Sequence, residues 1–188
     1  TNILGTAKLL ESIRDLDMKP VIHVCASSEV FGRVPKEFLP INEEVTFHPA
    51  SPYAISKVGT DLVGRYYAEA YGLTVMTTRM FTHTGPFAEQ IAMIEAGKLP
   101  PVIKVGNLQS LRTWSDVRDA VRAYYLLVTH NPTPGEYYNI GGSYSCTVED
   151  MLKYLISQST VEDIKIETDP DRLRPIDADL QVPDTNKF

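Results

Sequence analysis

The residues whose types and spacing best support chemistry are Tyr53 and Lys57, which lie four positions apart. On a helix, residues four apart share one face and are separated by one turn. A phenol has an ordinary pKa of about 10 and is a poor acid–base catalyst at neutral pH, but a nearby ammonium group favours the phenolate. The pair therefore indicates general acid–base chemistry carried by Tyr53. Chance also produces this spacing often, so an exposed helix pair is the alternative.

A helix must hold the Tyr–Lys pair, and the sequence marks both of its ends. Ser51-Pro52 is typical of an N-cap followed by the first helical position, and Gly72 is typical of a helix end. Before this helix, the mostly apolar run 21–26 predicts a strand buried on both faces of a parallel sheet, with the polar residues 27–29 at its end. The intervening segment 32–50 is rich in proline and charge and predicts a long loop, which is often functional.

Helical and strand-like patterns alternate along the whole chain. This alternation indicates an α/β fold with a mainly parallel sheet, in which sites gather at the carboxyl ends of strands. Ser115 and Thr147 are the expected N-caps of the last two helices. The predicted helices cover 2–17, 52–71, 87–96, 115–128 and 147–156, and the predicted strands cover 21–26, 73–81, 102–105, 137–140 and 164–166.

The composition is that of a folded chain with an excess of acidic residues. The 188 residues are 43% hydrophobic, which suffices for a sizeable core and excludes intrinsic disorder. A net charge of −6 and a pI of about 5.2 argue against a nucleic-acid-binding surface and against an anionic membrane as a partner. No apolar run approaches the roughly 18 residues of a membrane span, and the two cysteines form no disulfide framework. We expect a cytoplasmic protein without a metal site.

Several segments of the chain resemble, in order and in spacing, the motifs of the extended short-chain dehydrogenase/reductase family. Residues 49–57 are similar to the catalytic helix of that family, with the Tyr–Lys pair inside it. Residues 27–32 resemble its strand-end Ser/Thr motif, and residues 79–86 resemble its substrate segment. The other similar segments are 1–6, 105–119, 134–141 and 173–175.

The resemblance implies a Rossmann-like, mainly parallel α/β sheet of which this chain holds the C-terminal half. Residues 1–84 would be the remainder of the catalytic domain. Residues 85–188 would be mostly the smaller subdomain that binds the nucleotide sugar, with some segments returning to the first domain. The family's Gly-x-x-Gly-x-x-Gly cofactor motif occurs nowhere in the sequence, so we expect the cofactor-binding half before Thr1. The family also has a longer, basic loop after Gly85-Pro86, where we expect further residues.

The resemblance also implies roles for individual residues. Tyr53 would be the acid–base catalyst, assisted by Lys57 and Ser27. Glu29 would remove a proton from carbon 5 of the sugar, and a solvated loop carboxylate is its alternative. Tyr53, Lys57 and Asn2 would bind the NADP or NAD cofactor, with simple helix capping as the alternative for Asn2. The substrate-binding residues would be Ser28, His83, Asn107, Arg112 and Arg174. The two arginines would pair with the diphosphate or the ribose, and a position at the surface is their alternative.

Within the family, the motifs are most similar to those of enzymes that act on GDP-linked 6-deoxyhexoses. These are the GDP-mannose 4,6-dehydratases and the GDP-4-keto-6-deoxymannose reductases. A dehydratase needs Glu29 as a second base, whereas a reductase or an epimerase on the same scaffold needs only Tyr53, Lys57 and Ser27. The presence of Glu29 favours a dehydratase acting on GDP-mannose, with the reductase or epimerase as the alternative. A non-catalytic binding relative would need none of these groups. The implied partners are a GDP-hexose and further copies of the chain, in a homodimer or homotetramer.

Overall fold

A parallel sheet of three strands carries the residues that precede and follow the Tyr–Lys helix. Its strands β1 (Val21–Cys25), β2 (Thr74–Met80) and β5 (Tyr137–Ile140) lie in the order β1-β2-β5, each parallel to its neighbour. Because Val21 pairs with Thr74 and Cys25 with Thr78, the two strands start together and β1 ends two residues before the longer strand β2. The computed structural model describes residues 1–83, 85–173 and 177–188. Of residue 86 it describes the backbone alone.

Helices cover both faces of this first sheet. Helices α1 (Asn2–Asp15) and α2 (Pro52–Tyr71) pack together and cover one face, and α4 (Val117–Thr129) contacts β1 and β2. Successive side chains of a strand point to opposite faces. Accordingly, Val24 joins Leu10 and Tyr67 in the apolar cluster beneath α1 and α2, whereas the ring of His23 contacts the ring of Tyr124 on α4, with 4.5 Å between centroids.

Two smaller sheets follow in the second half of the chain. Strand β3 (Val102–Val105) pairs in parallel with β7 (Lys165–Thr168), and an apolar cluster beside it includes residues of α3 (Pro86–Glu95) and α5 (Val148–Ser157). The third sheet has the order β6-β4-β8, formed by β6 (Tyr144–Thr147), β4 (Leu111–Trp114) and β8 (Leu180–Gln181). Strand β4 runs antiparallel to β6 and parallel to β8.

The structure confirms the predicted α/β class and most of the predicted elements. The hydroxyl of Ser51 accepts a hydrogen bond from the Ala54 amide at 3.1 Å, and Gly72 ends α2 in the left-handed conformation with φ of +67°. The hydroxyl of Thr147 likewise caps α5 by accepting from the amide of Asp150 at 3.0 Å. Local sequence therefore places the helix that carries the Tyr–Lys pair correctly at both ends.

In the second half of the chain, three strands lie outside the predicted elements and one predicted N-cap is wrong. Strands β4 and β6 have four residues each with polar residues among them, and β8 has two residues, so no strand pattern marks them. The N-cap of α4 is Asp116 rather than Ser115, since the Asp116 carboxylate accepts from the Arg118 amide at 2.8 Å. The Ser115 hydroxyl lies 3.0 Å from Nδ1 of His83 and 3.3 Å from the Thr82 carbonyl oxygen, which it donates to.

A buried polar network fastens the long loop 32–50 to the first sheet. Arg79 of β2 is 1% exposed, and its Nε donates to Asp61 of α2 at 2.9 Å, while Nη1 donates to the Glu43 carbonyl oxygen at 2.8 Å. The Arg79 guanidinium also lies 4.6 Å from the ring centroid of Phe47. The Glu43 carboxylate accepts from the Asn139 amide of β5 at 2.8 Å. The loop is therefore held by hydrogen bonds from a buried guanidinium and from the main chain of β5, as well as by apolar packing.

One glycine fixes the path of this loop. Gly32 has φ of +58°, and a Cβ built there would lie 1.7 Å from the His48 carbonyl oxygen. A side chain at position 32 would meet main-chain atoms that have nowhere to move, so both the conformation and the space require glycine. In the ranges described, no helix combines the length and the apolar character needed to cross a membrane.

Candidate functional site

The first turn of α2 presents the Tyr–Lys pair next to the end of β1. Tyr53 is 50% exposed, and the ammonium nitrogen of Lys57 lies 5.9 Å from the centroid of its ring. Lys57 Nζ also donates a hydrogen bond of 2.8 Å to the carbonyl oxygen of Cys25, the last residue of β1. An ammonium group has three donors, so Lys57 can bind this carbonyl and another acceptor together. The predicted catalyst is thus accessible and has a positive charge beside it.

Asn2 ties the neighbouring helix to this turn. Its amide Nδ2 donates to the hydroxyl of Ser56 at 2.9 Å, and that hydroxyl donates to the Tyr53 carbonyl oxygen at 2.7 Å. The contact joins α1 to the turn that carries Tyr53. The cofactor-binding role of Asn2 stays a prediction, and the structure adds a structural role that differs from capping of its own helix.

Ser27 and Glu29 lie where β1 gives way to a short 3-10 helix, Ser28–Phe31. The Ser27 hydroxyl accepts a hydrogen bond of 3.2 Å from the Glu29 amide, so it caps this helix. A hydroxyl that accepts one bond can still donate its proton, so a donor role toward a ligand is compatible with the cap. Ser28, a predicted substrate contact, is 5% exposed.

Glu29 meets a predicted substrate residue from a different sheet. The guanidinium Nη1 of Arg112, on β4, lies 3.7 Å from Glu29 Oε1, and Nη2 lies 3.4 Å from Asp177 Oδ1. The side chain of Glu29 is 18% exposed, that of Arg112 is 13% exposed and that of Asp177 is 19% exposed. The Ala178 amide and the Ser110 hydroxyl both donate to Asp177, at 3.0 and 3.5 Å. Glu29 is therefore a largely buried, paired carboxylate and not a solvated one.

Asp177 was not predicted as a site residue, although a signal for it was present. It lies two positions after the segment 173–175, which resembles a family motif. Its partner Arg112 lies on a strand that the sequence pattern did not reveal. Arg174 itself lies outside the residues that the structure describes.

The two remaining predicted substrate residues are held by other side chains. Asn107 donates from Nδ2 to Asp179 at 3.1 Å, and its Oδ1 accepts from the Gln109 amide at 2.9 Å. His83 bonds to Ser115, and burial lowers the pKa of His83, while a hydrogen bond with the Thr82 backbone as acceptor raises it by a smaller amount. His83 is therefore neutral near pH 7 and is suited to hydrogen bonding rather than to carrying charge.

A cavity beside the long loop is lined by residues other than those of the predicted site. It has a volume of about 570 Å³, and residues such as Phe31, Phe38 and His48 line it. Among the residues described, no three His, Cys, Asp or Glu side chains come together as a metal site would require. The chemistry that the arrangement supports is proton transfer by a phenol and by a carboxylate.

Three comparisons describe what the chain is similar to. A curated relative, GDP-6-deoxy-D-mannose reductase from Pseudomonas aeruginosa, is 30% identical over 183 residues, covering 92% of this chain and 60% of the relative. The solved structure of RMD from Pseudomonas aeruginosa complexed with NADPH has a TM-score of 0.85 at 26% identity, covering 100% of this chain and 65% of that one. The structure of dTDP-glucose 4,6-dehydratase from Bacillus anthracis in complex with NAD has a TM-score of 0.80 at 27% identity, covering 100% and 60%.

The chain thus spans about 60% of the length of the curated relative. A family model described as GDP-mannose 4,6 dehydratase matches residues 1–188, the whole of the sequence. These matches confirm the resemblance read from the motifs. The chain belongs to the GDP-mannose 4,6 dehydratase family.

Proposed function

We propose that the protein containing this chain is a nucleotide-sugar 4,6-dehydratase that uses NADP or NAD and converts GDP-mannose to GDP-4-keto-6-deoxymannose. The observation that carries this proposal is the position of Glu29. This carboxylate follows the same strand end as Ser27 and is largely withdrawn from water, and Arg112 of another sheet contacts it. A dehydratase needs such a base to take the proton from carbon 5, whereas a protein that only reduces or oxidises at carbon 4 needs Tyr53 alone for proton transfer.

The residues at the start of α2 fit the nicotinamide end of such a cofactor. A half-exposed phenol beside an ammonium group that has donors left over suits a ligand rich in hydroxyl groups. The sequence contains no Gly-rich phosphate-binding motif, so this fit extends only to Tyr53, Lys57 and Asn2. When bound, the nicotinamide would accept a hydride from carbon 4 of the sugar and return one at carbon 6.

The side chains of this chain would then carry the protons. Tyr53 would take the proton of the 4-hydroxyl, with Lys57 stabilising the phenolate and Ser27 donating to the sugar oxygen. A carbonyl at carbon 4 makes the hydrogen on carbon 5 acidic. Glu29 would take that proton and pass it to the 6-hydroxyl, which would leave as water. When the hydride returns to carbon 6, carbon 5 would regain one proton, which balances the proton first taken by Tyr53. Arg112 would bind the anionic part of the substrate, for which its planar guanidinium is suited.

A reductase acting on a 4-keto-6-deoxy sugar is the second candidate. Its support is the curated reductase from Pseudomonas aeruginosa that is 30% identical to this chain. In a reductase, only the proton transfer by Tyr53 would be needed, and the pairing of Glu29 with Arg112 would serve to hold Arg112 in place.

Glu29→Gln in the full-length protein separates these two candidates. The change keeps the shape of the side chain and removes the base, so we expect loss of water from GDP-mannose to slow by about 10²–10⁴-fold. The first hydride transfer does not need Glu29, so reduced cofactor should accumulate on the enzyme without a 4-keto-6-deoxy product. The measurements are nicotinamide absorbance on mixing and chromatographic analysis of the sugar nucleotide.

Glu37→Gln, at an exposed carboxylate of the long loop, is the matched control and should behave as the unmodified protein. Dehydration at the normal rate by Glu29→Gln would contradict the proposed role. An unmodified protein that leaves GDP-mannose intact but oxidises NADPH or NADH with a 4-keto-6-deoxy sugar would establish the reductase instead.

A further inference from the structure

A buried amide beside Arg112 has no partner in the residues that the structure describes. Gln181, on β8, is 0% exposed, and neither its Oε1 nor its Nε2 makes a hydrogen bond. Buried amide groups are nearly always paired, because an unpaired one has lost its water without replacement. A leucine would fill a similar volume without this penalty, so packing alone does not account for a glutamine at this position.

The sheet register places Gln181 next to the side chain that contacts Glu29. Gln181 pairs with Arg112 across the parallel strands β8 and β4. Paired residues of adjacent strands point to the same face, and their strands are about 4.8 Å apart. The unpaired amide is therefore on the same face of the sheet as the Arg112 guanidinium, which bridges Glu29 and Asp177.

Hydrogen bonds hold the backbone on both sides of Gln181, so its side chain is the part that could move. The Leu111 amide donates to the Asp179 carbonyl at 2.7 Å, and the Ile41 amide donates to the Val182 carbonyl at 2.8 Å. These bonds hold β8 between β4 and the long loop. A change in the side-chain torsions of Gln181, with the strand left in place, is therefore the movement that the inference requires.

We propose that Gln181 is a positioning residue, whose amide oxygen accepts a hydrogen bond from Arg112 when a nucleoside diphosphate draws the guanidinium away from Glu29. This inference rests on the proposed function, in which Arg112 binds the anionic part of the substrate. In the structure, separate nitrogens of Arg112 face Glu29 and Asp177. A diphosphate competes with these carboxylates for the same donors. Gln181 then supplies a neutral acceptor that holds the guanidinium in its new position at the diphosphate, while Glu29 is released for proton transfer.

The test compares Gln181→Leu with the unmodified full-length protein, using calorimetric titration with GDP, steady-state kinetics with GDP-mannose and thermal unfolding. We expect a higher Tm, because the unpaired amide is gone, together with about tenfold weaker GDP binding, since a hydrogen bond to a charged group is lost. KM should rise by a similar factor while kcat stays within about twofold. Gln158→Leu, at an exposed glutamine after α5, is the control and should change none of these quantities.

Every outcome of this experiment either supports or overturns the proposed role of Gln181. A raised Tm with unchanged GDP binding and KM would show that Gln181 acts only in the fold and would overturn the inference. If Gln181→Leu does not fold, Gln181→Met provides the same comparison with an unbranched side chain. If the unmodified protein binds dTDP or UDP instead of GDP, the proposed substrate fails while the inference is tested with that nucleotide. If it binds none of the three, both fail.

Discussion

Tyr53→Phe in the full-length protein is expected to lower kcat by about 10²–10⁴-fold while leaving substrate binding nearly intact. Only the phenolic hydroxyl is removed, and a positioned acid–base group typically contributes a factor of this size. Tyr53 is half exposed at the start of α2, so the change removes no buried contact and should not affect folding. The measurements are steady-state turnover of GDP-mannose and calorimetric binding of GDP.

Tyr66→Phe is the matched control for this variant. Tyr66 lies on the same helix with a similar exposure of 55%, and its hydroxyl is 3.4 Å from that of Tyr71 at the surface. We expect normal turnover from Tyr66→Phe. A Tyr53→Phe protein that retains most of its kcat would remove the basis of the proposed acid–base role, whichever sugar the protein acts on.

Asp61→Asn is expected to destabilise the protein by about 3–5 kcal/mol, the largest effect on folding that the structure suggests. The Asp61 side chain is 0% exposed and accepts from Arg79, which is itself 1% exposed. Loss of the carboxylate charge leaves a buried guanidinium without its counter-ion. Urea unfolding monitored by circular dichroism measures the change in the free energy of unfolding.

Two further variants show that the unpaired charge is responsible. Glu69→Gln, an exposed carboxylate on the same helix, should change stability by less than about 0.5 kcal/mol. The double variant Asp61→Leu with Arg79→Met removes both charges and should be more stable than Asp61→Asn, because an apolar replacement of a buried pair is often tolerated. A stability of Asp61→Asn equal to that of the unmodified protein would mean that the ion pair contributes nothing to folding.

The predictions made from local sequence succeed where the determining residues are close together in the chain. Ser51 and Gly72 mark the two ends of α2, and each does so through hydrogen bonds to residues three to five positions away. Strand β1 is recognisable because its residues are apolar and β-branched. Strand β8 has two residues, and its existence depends on β4, far away in the sequence, so no local pattern could reveal it.

The same distinction applies to the candidate site. The Tyr–Lys pair follows from helix geometry alone, and the structure places Lys57 beside the Tyr53 ring. The contact between Glu29 and Arg112 depends on how the first and third sheets are arranged, so the sequence could supply the two residues but not their pairing. Arg79 lies in a segment that resembles a substrate-binding motif, yet its partners Asp61 and Glu43 bury it beneath the loop.

The anchor of Lys57 has a consequence for how this region can change over evolutionary time. Lys57 donates to the main-chain carbonyl of Cys25, and every amino acid offers the same carbonyl. Drift at position 25 therefore cannot remove the acceptor, and a library that randomises this position should keep the lysine where it is. A slip of β1 against β2, away from the pairing of Cys25 with Thr78, would instead move the acceptor. The position of this ammonium group is thus encoded in the alignment of two strands and not in the identity of a neighbouring side chain.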